Sequence, residues 1–292
     1  MAPASSALAL FSGLLDDAAL FPPGNAPMIR AVPEHLAYER ADHGALVGPF
    51  VCTDARIPEL LAELSGHEAS SALPVSIVVG GGPAAIESVL ERLAEERSVS
   101  LVALEIPLGP EAGAPARAAA AAVAERSPAV SAYVEVPRGE ELEPVLDILA
   151  ERRVRAKLRT GGPTPAFFLS DAEVGAFVDG CASRDLAFKC TAGLHAGVRH
   201  AVPGPAREVM EQQGFLNILL GTAASLDGAG PTEITALLGE RDEALVVKAV
   251  TALGPEQVLR ARRRFLSFGT CSVPEPIADL VRLGLLGAGG SA

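Results

Sequence analysis

The sequence predicts a single (β/α)8 barrel, and three observations carry that prediction. Short β-rich runs recur at a spacing of about thirty residues, and eight of them can be counted along the 292-residue chain. An amphipathic, helix-like stretch follows most of them. Strands alternating with helices of this length imply parallel βαβ units, and eight such units close into a barrel.

The runs are ALVGPFVCT (45–53), PVSIVVG (74–80), SLVALEIP (100–107), VSAYVEVP (130–137), VRAKLRT (154–160), LAFKCT (186–191), FLNILLG (215–221) and FLSFGTC (265–271). Between them lie IPELLAELSGH (57–67), PAAIESVLERLAEER (83–97), the Ala-rich stretch 114–126, GEELEPVLDILAERR (139–153) and SDAEVGAFVDGCASRD (170–185), where Ser170 is placed to cap the helix. A partial internal repeat supports the reading. LVALEIPLGPE (101–111) and SAYVEVPRGEE (131–141) share Glu, Pro, Gly and Glu at matching positions.

The count carries one ambiguity. Residues 12–23, SGLLDDAALFPP, read either as part of an N-terminal extension over 1–44 or as a first strand followed by a helix over 27–43. In the second case 265–271 is expected to fall outside the barrel. Residues 222–264 read as two or three helices inserted before the last strand, within one domain covering 1–292. An open doubly wound sheet is the competing architecture.

Composition narrows the function classes. The net charge of −12 argues against nucleic acid as a partner, since phosphate binding needs a basic surface. No apolar run is long enough to span a bilayer, and the N-terminal apolar stretch lacks a basic leader, so neither a membrane span nor a secretory signal is expected. The four cysteines contain no C-x-x-C pair, which fits free thiols in a reducing cytoplasm. Nothing in the chain fixes an oligomeric state; the sequence leaves room for a homo-oligomer.

Strand residues alternate between the barrel interior and the surrounding helices, and the helix-facing set should be apolar. That parity turns Val102, Leu104 and Ile106 outward and Glu105 inward. It likewise turns Tyr133 and Glu135, then Arg155, Lys157 and Arg159, then Lys189 and Thr191, then Asn217, and finally Ser267 and Cys271 inward. Barrel interiors are normally filled with branched apolar side chains, and barrel enzymes build their sites at the C-terminal rim. Two carboxylates facing three cations are therefore expected to form a hydrogen-bonded network with an excess of positive charge, suited to a small substrate carrying a carboxylate or phosphate. Arg155 lies deeper and reads as structural.

Lys189 is the candidate nucleophile. An amine buried beside Lys157 and Arg159 should have a lowered pKa and be free to attack a carbonyl, with Glu135 or Glu105 moving the proton. His195 and His200, in GLHAGVRH after the sixth run, are candidates for substrate binding. A metal ion held by Glu105, Glu135 and His195 is the alternative for a lyase or hydrolase, although the spacing matches no zinc motif. Gly161 and Gly162, beside Arg159, could offer backbone amides to an anion. Asp16 and Asp17 read as a turn or as acids folded over the mouth. A non-catalytic barrel that binds a small anion is the remaining reading.

F-K-C-T-A-G (188–193) resembles the strand-six motif K-T-S-T-G of class I aldolases of the deoxyribose-phosphate aldolase type. The resemblance implies Lys189 as a Schiff-base lysine, with Thr191 and Gly193 in the following loop. It covers about five residues. That family carries a second lysine on strand seven, where this chain has Asn217, and an Asp on strand three, where it has Glu105. Asp17-Ala18-Ala19-Leu20-Phe21-Pro22-Pro23 is also similar to a D-x-A-x-L-F-P-P-like segment near the N-terminus of a group of uncharacterised bacterial proteins, a likeness that implies no activity.

Overall fold

A computed structural model describes residues 9–66, 71–108, 130–162, 164–203 and 209–288. The Ala-rich stretch 114–126 and His67 lie outside the described residues. Eight parallel strands close into a barrel: β1 (Leu15–Asp17), β2 (Val47–Thr53), β3 (Leu73–Val78), β4 (Val99–Ile106), β5 (Ser131–Glu135), β6 (Arg155–Arg159), β7 (Phe188–Thr191) and β10 (Phe265–Thr270). β1 pairs with both β2 and β10, which closes the circle. Strands β8 (His200–Pro203) and β9 (Val209–Gln212) form a separate antiparallel hairpin after β7.

The helices on the outside are α1 (Met28–Arg40), α2 (Ile57–Leu64), α3 (Ile86–Leu93), α4 (Leu142–Arg152), α5 (Asp171–Ser183), α6 (Phe215–Leu226), α7 (Pro231–Gly239), α8 (Glu243–Ala252), α9 (Pro255–Arg264) and α10 (Pro274–Arg282). Ser170 caps α5 as expected. Its hydroxyl accepts from the Glu173 N–H, and Glu173 Oε2 accepts from the Ser170 N–H in return.

Two expectations about the strands need correction. Residues 12–23 and 265–271 both supply barrel strands, so β1 belongs to the barrel and not to an extension. The compensating change is at 215–221, which is no strand but the first two turns of α6. That segment is apolar all round because it is buried all round: every residue from Phe215 to Ala223 is buried. A run of this kind has no alternation to separate helix from strand, and its continuation to Leu226 exceeds the usual strand length.

The packing between strands and helices follows the alternation. Leu104, Ile106, Val134, Ala156, Leu158, Phe188, Cys190 and Phe268 are all buried in the outer core. Phe188 stacks on Phe265 at 5.5 Å between centroids, and Phe215 of α6 stacks on Phe268 at 5.0 Å. Val102 departs from the pattern: it falls where the β3–β4 register shifts, between Leu101 and Ala103, and is exposed. A local bulge of this kind re-aims one side chain without disturbing those beyond it.

Candidate active site

The inward residues of neighbouring strands lie in register, which stacks them in layers. Glu135 is opposite Lys157, Lys157 opposite Lys189, and Lys189 opposite Ser267. One layer nearer the C-terminal end, Arg159 is opposite Thr191 and Thr191 opposite Gly269, whose other neighbour is Asp16.

Side chains from these strands join into one chain of ion pairs. Lys189 Nζ donates to Glu105 Oε1 at 2.7 Å and, on the other side past β10, to Asp16 Oδ2 of β1. Lys157 Nζ lies 3.2 Å from Glu105 Oε2 and 2.9 Å from Glu135 Oε2. Arg159 Nε donates to Glu135 Oε1 at 3.3 Å. Hydroxyls complete the shell: Ser76 donates to Glu105 Oε1 at 2.8 Å and Ser267 to Asp16 Oδ2 at 2.9 Å. Every barrel strand except β2 contributes. The circuit is deepest at Lys189, 1% exposed, and opens toward the mouth at Glu135, 19% exposed along its side chain.

Below it, Arg155 donates to the Tyr133 hydroxyl at 2.9 Å and lies over the ring, a packing role that matches its expected structural one. Above it, the Arg159 guanidinium lies over the half-exposed ring of Phe167, 5.9 Å from its centroid. Arg159 is the ring member most open to solvent, and a guanidinium stacked on one face keeps its edge free for an anion.

The electrostatics correct the expected route to a reactive amine. The groups bonded to Lys189 are carboxylates, not cations. Burial alone would lower its pKa, but Asp16 and Glu105 outweigh burial and hold the ammonium above its usual range. Glu105 is pulled the other way. Burial disfavours its charge, yet Lys189 and Lys157 bring it down to about 2. Glu135 is also lowered, by Lys157 and Arg159 against burial. Asp16 is the exception: burial raises it despite Lys189, and its Oδ1 is buried with no hydrogen-bond partner. The circuit thus contains a carboxylate with spare proton affinity in contact with the amine.

The sequence reads Asp16 and Asp17 together, as a turn or as acids folded over the mouth, and the structure separates them. Asp17 is on the outer face of β1, where its Oδ2 lies 3.0 Å from Nδ1 of His35 on α1 and its Oδ1 accepts from the Ala19 N–H. His35 is fully buried, with Nε2 3.7 Å from Glu39 Oε1. Asp17 therefore ties a helix to the barrel wall and does not reach the mouth. Alternation along β1 separates the two acids once the strand is recognised, but three residues, two of them charged, make a weak strand signal.

Asn217, expected to point inward from a strand, sits on α6. Its Oδ1 accepts from the Arg199 N–H, and its Nδ2 donates to the Leu237 and Glu240 carbonyls, at 2.8–2.9 Å. Its polar capacity is spent on fastening α6, α7 and the loop after β7. His200 lies in hairpin strand β8 opposite Gln212, with Nδ1 3.1 Å from the Val198 carbonyl. His195 is in the loop after β7 and pairs with Glu275, not with the ring. Glu105, Glu135 and His195 are therefore not gathered as ligands, and among the described residues no group of three or more His, Cys, Asp or Glu is placed to hold a metal ion.

Gly161 and Gly162 follow β6 at the mouth, and geometry accounts for both. A Cβ on Gly161 would lie 3.0 Å from the Gly193 Cα, and one on Gly162 would lie 2.6 Å from the Phe167 ring. The loops after β6 and β7 touch there, backbone to backbone, which seats Phe167 beneath Arg159.

No family model matches the chain, and no curated protein matches it. The reading of the site rests on its own geometry. No described helix is long and apolar enough to cross a membrane.

Proposed function

We propose that the barrel is an aldolase-like lyase that acts on a small anionic carbonyl compound through an imine on Lys189. One observation carries the reading: the Lys189 amine is bonded at once to Glu105, whose charge is firmly held, and to Asp16, whose proton affinity is raised. An ammonium is no nucleophile, so the amine must lose a proton when substrate arrives. Asp16 is in hydrogen-bond contact and takes it.

The neutral amine then adds to the substrate carbonyl. The carbinolamine oxygen is protonated and leaves as water, giving the protonated imine. Cleavage of the bond between the carbons α and β to the imine sends its electron pair toward the iminium and leaves an enamine, while the β carbon departs as a carbonyl compound as its hydroxyl proton passes to a carboxylate. Protonation of the enamine carbon and attack of water release the second product and restore Lys189. Glu105 and Asp16 flank the nitrogen throughout. Glu135, nearer the mouth and bonded to Lys157, is the group placed to exchange protons with a substrate hydroxyl. Arg159, open to solvent over Phe167, holds the anionic end, with Thr191 beside it in the same layer.

Borohydride reduction in the presence of a panel of small aldehydes and keto acids, followed by peptide mapping, tests this. The expected result is one reduced adduct at Lys189, abolished in Lys189→Arg and retained in Lys157→Arg. Binding of panel compounds with no adduct at Lys189 overturns the proposal and leaves the circuit as a device that joins the strands.

A further inference from the structure

A second cluster of reactive side chains lies at the rim, outside the ion circuit. Cys271 directly follows β10, and His195 lies in the loop after β7, the neighbouring strand. Cys271 Sγ is 3.9 Å from His195 Nε2, and Glu275 Oε2, on the first turn of α10, is 2.9 Å from His195 Nδ1. Nδ1 makes no hydrogen bond as the ring stands, but the negative charge of Glu275 beside it favours the ring proton on that nitrogen, which leaves Nε2 to accept from the thiol. Thiol, base and orienting acid stand in the order that a nucleophilic triad needs.

The surroundings favour this thiol over the other three. Cys52, Cys181 and Cys190 are buried, and burial pushes their thiols far up, Cys52 to about 12. Cys271 is only partly buried. Burial raises its pKa too, opposed in part by the backbone of Gly24 and of Cys271 itself. Gly24 comes that close because it has no side chain; a Cβ there would lie 3.1 Å from the Cys271 Cβ. Cys271 therefore rests as a thiol with a base in contact.

We propose that Cys271, His195 and Glu275 form an acyl-transfer centre that hydrolyses small carboxylic esters by way of a thioester on Cys271. His195 Nε2 takes the thiol proton as the sulfur adds to the ester carbonyl. The tetrahedral adduct collapses, the C–O bond breaks, and the alcohol leaves with the proton from His195. Water then attacks the thioester with His195 as base, which releases the carboxylic acid and restores the thiol. Glu275 is a positioning residue that acts on the imidazole through its charge beside Nδ1. This centre uses no member of the ion circuit.

p-Nitrophenyl acetate is the probe. A burst of nitrophenolate is expected, with a single acetyl group mapped to Cys271 and absent in Cys271→Ser. His195→Ala should slow acetylation about a hundredfold. Glu275→Gln, at a side chain 59% exposed and so dispensable for folding, should slow it about tenfold, and Glu275→Asp should restore most of the loss. Absence of acetyl on Cys271, or an unchanged rate in either His195→Ala or Glu275→Gln, overturns the proposal. If His195→Ala fails to fold, Glu275→Gln decides alone. Peptide mapping reads Cys271 here and Lys189 in the imine trap, so the two proposals stand or fall separately.

Discussion

At the centre of the barrel Lys189 and Lys157 share Glu105 almost out of reach of water, whereas at the rim His195 and Glu275 meet half in solvent. Both places combine cations or bases with carboxylates, yet the physics differs. A buried charge costs several kcal/mol of lost hydration, which only its partners offset, so each member of the inner circuit holds the others in place. At the rim, water screens the charges, and a pair contributes about 1 kcal/mol or less to folding. Substitution in the circuit should therefore register first in stability, and substitution at the rim first in reactivity.

The largest effect is expected from Lys189→Met. It leaves Asp16 buried without a cation and Glu105 with Lys157 alone, and should cost about 3–5 kcal/mol in urea unfolding. Glu275→Gln should stay within about 0.5 kcal/mol of the parent protein. Equal losses at the two sites would erase the distinction between them.

Next comes acid. Glu105 falls from an ordinary 4.5 to about 2 on folding, so its contribution is complete above pH about 4.5 and is lost as pH drops toward about 2. That contribution is about 3 kcal/mol. Asp16 acts in the opposite direction, because its raised pKa makes protonation relieve its burial. Unfolding of the parent and of Glu105→Gln at a series of acidic pH values isolates the Glu105 part: the slope in that window should be flatter in the variant.

A smaller effect is expected on the outer face of β1. Burial opposes the charged form of His35, but Asp17 and Glu39 outweigh it and raise the pKa above 6.5. The resulting stabilisation is fully present below pH 6.5 and fades as pH rises through the folded value. Unfolding between pH 6 and 9 should show this decline in the parent and not in His35→Gln.

The barrel was legible because its repeat is regular, and the inner residues of β4 to β7 because four adjacent strands bury apolar side chains on the outside. Glu105, Glu135, Lys157, Arg159 and Lys189 follow from that alternation alone. Their neighbours were hidden for separate reasons. Asp16 sits on a strand of three residues whose direction of pairing is set only by closure against β2 and β10. Asn217 was misplaced because a helix buried on all sides has lost the polar face that identifies helices. The rim triad joins the loop after β7 to the end of β10, segments far apart in sequence that only the circular strand order makes neighbours. The sign of the Lys189 shift was missed for a related reason: parity shows which groups face inward, but not which of them touch.

Lys189 and Asp16, on strands that flank β10, are held to work as one pair. A double-mutant cycle on urea unfolding, with Lys189→Met, Asp16→Asn and their combination, measures it most directly. A coupling energy of about 1–3 kcal/mol is expected between them. Additive losses, within about 0.5 kcal/mol, would contradict the pairing and with it the route by which the amine loses its proton.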